Sequence, residues 1–285
     1  MKLKKGTIKA SIVLVFLLMV IGIVVYNFIG PGAKDMKASK DFIAKLYLIK
    51  AINTDQPLDS MKYDRIKILT SKNELGHKTI VTQNFGIDLD KEDNVIGFAK
   101  KEIPKNITKL NIEEGKELAD YYLKNIYDGD VIIKASKSNE DNESLPYYSF
   151  VYTKEEHGYP LYFDEIKLNI DKESGVLDGY SNSTMQRECK EPVINISKEE
   201  AEKIALESFE KYNKDGTLED EIPLVYADNT IDTDSKTISE VCYLVNIKGK
   251  DKNNKKVEWK IFVSAETGNI LNKLKDGAEK EVTTS

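Results

Sequence analysis

The chain opens with a stretch that has no polar period at all. From Ala10 to Ile29 there are twenty residues without a charge, interrupted only by Ser11, Gly22 and Asn27. At about 1.5 Å of rise per residue such a helix spans roughly 30 Å, the thickness of a hydrocarbon core. A cleaved signal peptide is the competing reading, but those carry apolar regions of about 7–15 residues and a small-x-small cleavage site. Here the only small cluster, Gly30-Pro31-Gly32-Ala33, holds a proline between its small residues, and no cysteine follows the run to accept a lipid. The pattern predicts a transmembrane helix over 10–29, preceded by a cytoplasmic stub over 1–9.

Beyond the span, amphipathic periods replace the apolar run, and they repeat. Leu110-Asn111-Ile112-Glu113-Glu114-Gly115-Lys116-Glu117-Leu118-Ala119 lies over Ile196-Ser197-Lys198-Glu199-Glu200-Ala201-Glu202-Lys203-Ile204-Ala205 at an offset of 86. Ser197 with Glu200 reads as a capping box, and Asn111 with Glu114 as its weaker equivalent. After the caps, Ala201, Ile204, Ala205, Ser208 and Tyr212 keep one helical face, as do Leu118, Ala119, Tyr122 and Ile126. The closing part of each repeat is an alternating strand and a turn. Ile166, Leu168 and Ile170 lead into Asp171-Lys172-Glu173-Ser174-Gly175, and Val257, Trp259, Ile261 and Val263 lead into Ser264-Ala265-Glu266-Thr267-Gly268. Gly175 and Gly268 are expected at positive φ in these hairpins.

An earlier, degenerate copy of the hairpin is Asp90-Lys91-Glu92-Asp93-Asn94, with Asn94 expected in the left-handed position. Upstream of it, Ser39 and Asp41 lead into a helix over Phe42 to Leu48, followed by extended runs at Ile66–Leu69 and Thr79–Val81. Within the complete repeats, Asp130–Ala135, Tyr147–Thr153, Leu224–Asp228 and Val241–Ile247 read as further strands. The expected fold class is α+β: the transmembrane helix, a degenerate unit over 30–105, units over 106–187 and 192–275, and a polar tail over 276–285. Each unit places a helix on an antiparallel sheet.

Charge sharpens this layout. The chain has 42 Lys+Arg against 48 Asp+Glu, a net −6, and only Arg65 and Arg187 are arginines. Nucleic acid is excluded as a natural partner, because its readers lean on arginine and net positive charge. Lys2, Lys4, Lys5 and Lys9 precede the span, so the positive-inside rule keeps the N-terminus in the cytoplasm and sends everything after Gly30 outside. Without those four lysines the exported part holds 38 basic and 48 acidic residues, about −10. A nine-residue stub is too short for an inside binding domain, which argues against a signalling receptor or an anti-sigma factor.

Candidate chemistry is sparse. No nucleophile elbow, HExxH, P-loop or dinucleotide fingerprint occurs. His157 and His77 both read as turn or loop residues beside a glycine. Cys189 and Cys242 could form a bridge in an oxidising compartment or stay as small hydrophobes. The acidic loops over 138–143 and 228–234 are solvated runs with at most weak calcium affinity, since Thr233 stands where a calcium loop needs glycine. The fifteen tyrosines could form a binding face, although such residues usually fill half-buried sheet surface. No catalytic, cofactor-binding or metal residue is assigned, and no cofactor is expected.

The acidic helix start over Ile196–Ala205 and the closing strand and turn over Trp259–Leu271, matched less closely by Tyr148–Val176, resemble the PepSY domain and the related YcdB/YcdC repeat. One span followed by such units also resembles the layout of the YpeB family of germination proteins. The resemblance implies a non-catalytic, cystatin-like fold that binds or regulates exported peptidases or cell-wall hydrolases, with another exported protein as partner. A cell-surface hydrolase with an unrecognised site, or a structural spacer, are the alternatives.

Overall fold

The computed structural model describes residues 17–22, 25, 30, 32–53, 77–102, 107–136, 145–185, 187–228 and 238–276. Among them no helix is long and apolar enough to cross a membrane. Residues 17–22 are helical and exposed; most of the predicted 10–29 span, the extended run at 66–69 and the loop over 138–143 lie outside the described residues.

The fold is α+β with antiparallel sheets and few helices. Among the described residues beyond 30, its helices are α1 (Ala33–Leu48), α2 (Ile112–Ile126) and α3 (Lys198–Glu210). Its strands are β1 (Lys78–Val81), β2 (Phe85–Leu89), β3 (Val95–Lys100), β4 (Val131–Ser136), β5 (Tyr147–Glu156), β6 (Tyr159–Pro160), β7 (Ile166–Asp171), β8 (Leu177–Asn182), β9 (Glu188–Cys189), β10 (Lys214–Leu218), β11 (Leu224–Asp228), β12 (Ile238–Lys250), β13 (Lys256–Ser264) and β14 (Ile270–Asp276). They fall into two compact units. Unit 1 takes residues 1–128, 137–150 and 167–182; unit 2 takes 129–136, 151–166 and 183–285. The 106–187 repeat is therefore divided, and β5 changes unit after Phe150.

In unit 1 the strands run β1-β2-β3-β8-β7 and on to the first residues of β5. Alternation places Phe85, Ile87 and Leu89 on the buried face of β2, and Leu168 and Ile170 on that of β7. Helix α1 covers this face: Ile43 and Leu46 are fully buried, and Phe42 meets Phe98 and Tyr180, each at 6.1 Å between ring centres. Burying each such side chain contributes about 1.5–3 kcal/mol. The helix starts earlier than its polar residues suggest. It begins after Gly32, which sits at φ 74, so Ser39 and Asp41 are interior positions and not a cap. The Ser39 hydroxyl bonds back to the Asp35 carbonyl at 2.9 Å, the usual use of a mid-helix serine.

The first hairpin also differs from expectation, because it is one residue shorter than the later two. Asp90 N–H reaches the Asn94 carbonyl, whereas Asp171 reaches Val176 and Ser264 reaches Asn269. The left-handed residue is therefore Asp93, at φ 67, and not Asn94. Gly175 and Gly268 both stand at φ 74 as the repeat predicts.

In unit 2 the order is β10-β12-β13-β14, with β11 and β9 also on β12. The β9 pairing is parallel; the others are antiparallel. Val241, Tyr243, Val245 and Ile247 of β12 join Trp259, Ile261 and Val263 of β13 in a core covered by Ala201, Ala205 and Phe209 of α3. Cys242, Leu244 and Phe262 line the opposite face with Val225, Ala227 and Leu271.

Candidate functional site

Two sets of polar contacts stand out, one made in both units and one in unit 2 alone. The first joins each repeat's helix start to its closing hairpin. In unit 1 the N–H groups of Lys109 and Leu110 both donate to the Lys172 carbonyl, at 2.9 and 3.0 Å. In unit 2 those of Asn195 and Ile196 both donate to the Ala265 carbonyl, at 2.8 and 3.0 Å. The same hairpin residue donates onward, Lys172 to Pro146 and Ala265 to Val241, each at 3.0 Å. A tyrosine closes the arrangement in each unit. The Tyr148 hydroxyl donates to the Leu110 carbonyl and the Tyr243 hydroxyl to the Ile196 carbonyl, both at 2.9 Å.

Both capping boxes are complete. Asn111 and Glu114 exchange bonds at 2.9 and 2.8 Å, and Ser197 and Glu200 at 3.2 and 2.9 Å, so the asparagine version is a full box. Burial, together with the neighbouring Glu113 and Glu114, pushes the Tyr148 hydroxyl above its ordinary pKa; burial, Glu199, Tyr159 and Glu200 do the same to Tyr243. Leu110 and Ile196 precede the caps and lie over the hairpin glycines, with Leu118 and Ile204 beside them.

The second set is a buried ion-pair group. Arg187 donates from one terminal nitrogen to Asp164 Oδ1 at 2.5 Å and from the other to Asp228 Oδ1, and the Ser239 hydroxyl donates to that same Asp228 oxygen at 2.7 Å. The Arg187 and Asp164 side chains are 3% and 0% exposed. Burial pushes the Asp164 carboxyl above its ordinary value, opposed by the Arg187 charge. The planar guanidinium meets its two carboxylates from two separate nitrogens, whereas in unit 1 the single nitrogen of Lys78 bridges Asp35 and Asp93, at 2.5 and 3.2 Å.

The residues singled out from the sequence are distributed as follows. His157 and Gly158, at φ 51 and 83, form the two-residue turn between β5 and β6. The His157 ring lies 3.1 Å from Glu191 and 3.4 Å from Glu156, with its centre 6.3 Å from that of Tyr226. Cys189 packs on the same core as Tyr226. Burial and then the Glu156 charge push its thiol up, away from the thiolate that nucleophilic work needs. Tyr226 is pushed up to about 12 by burial, and its hydroxyl donates to the Lys190 carbonyl at 2.6 Å. His77 lies in unit 1, ahead of β1.

Cys189 and Cys242 are free thiols. Cys189 pairs with Ser239, three residues before Cys242, a separation of about 10 Å along a strand, beyond the roughly 7 Å that a disulfide tolerates. They also pack on opposite faces of the sheet. The possible bridge is thus ruled out by register. Of the loop over 228–234 only Asp228 is described, and its carboxylate belongs to Arg187 and Ser239. Among the described residues no three His, Cys, Asp or Glu side chains are grouped to hold a metal ion.

Residues 81–184 match the family described as the YcdB, YcdC repeated domain. A solved structure of the Bacillus megaterium YpeB C-terminal domain is similar at 17% identity and a TM-score of 0.49, over 82% of this chain and 96% of that one. No curated protein matches the chain.

Proposed function

We propose that this chain is a non-catalytic binding or regulatory protein held by its N-terminal segment on the outer side of a membrane, where its PepSY-like, cystatin-like units act on an exported peptidase or cell-wall hydrolase. The observation that carries this reading is the helix-to-hairpin arrangement built twice, once within the matched 81–184 segment and again in unit 2. In both copies the tyrosine hydroxyl, the capping acid and the turn carbonyls are committed to the fold, leaving a scaffold that offers surface rather than chemistry. Charge supports the placement: lysines precede the apolar run and about −10 follows it.

A hydrolase built on Cys189 and His157 would need a thiolate at Cys189, which burial and Glu156 oppose. The test is crosslinking of the full-length chain in intact cells followed by mass spectrometry. Reproducible recovery of an exported hydrolase or peptidase is the expected result. Recovery of no exported protein overturns the reading in favour of a spacer.

A further inference from the structure

At the end of α3, unit 2 gathers three lysines that form no ion pair among the described residues. Lys211 follows the helix directly, and Lys273 and Lys275 lie two apart on β14, opposite Ile261 and Trp259. Elsewhere in unit 2, Lys190, Lys198, Lys248 and Lys250 each have a carboxylate within 4.0 Å. Among the described residues, Lys211, Lys273 and Lys275 have none, as is also true of Lys203, Lys214 and Lys256. Burial and the ammonium groups of Lys211 and Lys275 push Lys273 below the ordinary lysine pKa.

The cluster is framed by aromatic rings. Tyr212 and Trp259 lie 6.0 Å apart at 31°, and Phe209 braces Trp259 edge-on at 5.5 Å. The Lys275 ammonium sits 4.5 Å from the centre of the Trp259 ring and 5.9 Å from that of Tyr212. Tyr212 is 57% exposed and Trp259 5%, so the platform meets solvent through the Tyr212 ring.

From this geometry we propose that Lys211, Lys273, Lys275 and the Tyr212–Trp259 platform form a docking site for an extended acidic peptide. Lys273 and Lys275 stand about 6.6–7 Å apart along one strand face, the spacing of carboxylates at alternate positions of an extended chain. A phosphate polymer fits less well. Phosphate sites favour the free N–H groups of a helix N-terminus, whereas the helix end presented here is the C-terminal one and offers none. The site stands independently of the regulatory reading above.

Trp259 is the sole tryptophan of the chain, so its emission reports on this spot directly. The full-length protein is titrated with fluorescein-labelled oligoglutamate, with oligoglutamine and with inorganic polyphosphate, following peptide anisotropy and, with unlabelled peptide, Trp259 emission. Oligoglutamate is expected to bind and to change the emission, and oligoglutamine to do neither. The Lys273→Gln/Lys275→Gln double variant is expected to bind oligoglutamate about tenfold more weakly with unchanged thermal unfolding. Lys248→Gln/Lys250→Gln, which alters paired lysines of the same unit, is expected to leave binding unchanged. Absence of oligoglutamate binding, binding indifferent to the Lys273/Lys275 change, or binding of polyphosphate alone each overturns the proposal.

Discussion

The helix start over Leu110–Gly115 in unit 1 and that over Ile196–Ala201 in unit 2 meet their hairpins through the same polar bonds but through different side chains. Two N–H groups share one hairpin carbonyl, that residue donates onward to Pro146 in unit 1 or Val241 in unit 2, and a tyrosine returns to the carbonyl before the cap. Around this frame the filling is exchanged. At Gly115 a Cβ would come within 2.8 Å of the Tyr148 ring, while unit 2 buries Ala201 at the matching position. Tyr122 donates to the Gly175 carbonyl at 3.0 Å where unit 2 has the smaller Ser208. Leu118 stands 2.8 Å from the Cβ position of Gly175, against 3.2 Å for Ile204 at Gly268. Backbone polar groups have few ways of being satisfied, so they define the unit; apolar volume can be redistributed among neighbours.

Unit 2 also builds the Arg187 group, which lies beyond the shared frame. Arg187→Ala leaves a fully buried carboxylate at Asp164 without its partner and is expected to cost about 3–5 kcal/mol, read as a lower midpoint in urea unfolding. A loss under about 1 kcal/mol would show that the group adds nothing to the frame that both units share.

The hairpin glycines test the packing difference. At φ 74 alanine is strained in both, by about 1 kcal/mol, and in unit 1 it also presses on Leu118. Gly175→Ala is expected to destabilise by about 2 kcal/mol and Gly268→Ala by about 1 kcal/mol, compared by thermal unfolding. Equal losses would mean that Leu118 yields freely.

The tyrosine bonds test the similarity. Tyr148→Phe and Tyr243→Phe each leave a carbonyl short of one donor and are each expected to cost about 1 kcal/mol. Both hydroxyls titrate above their unfolded value, so the folded state retains protons that the unfolded chain has lost. Their contribution is complete below about pH 10 and falls as pH rises from there through the folded values. Both phenylalanine variants should flatten this alkaline loss by similar amounts in denaturation curves taken at successive pH values.

Much of the frame was legible because it is local. Caps, periodic faces and hairpin glycines are set by residues within four or five positions of each other, and the offset of 86 doubles the signal. Where a single position decided the outcome, the reading slipped: Asp93 rather than Asn94 takes positive φ because the first hairpin is one residue shorter, and Ser39 looks like a cap but sits inside a helix that begins at Ala33. Strand β10, Lys214-Asp215-Gly216-Thr217-Leu218, carries no alternation and escaped notice; its glycine faces Leu206 and Phe209, where a side chain would not fit. Arg187 was conspicuous as one of two arginines, but its partners are 23 and 41 residues away, a distance no sequence period bridges. The roles of Tyr148 and Tyr243 were hidden likewise, since the sequence marks both only as strand-face aromatics.

The way the chain is shared between units bears on the order in which it is made. A ribosome working from the N-terminus cannot finish unit 1 until Asn182 has emerged, and by then residues 129–136 and 151–166 of unit 2 are already outside with most of their partners still unsynthesised. Folding during synthesis cannot proceed as one finished body after another. For a time the growing chain must carry the segment around Tyr159 and Asp164 uncovered, until Arg187 and then β11 to β13 arrive to enclose it.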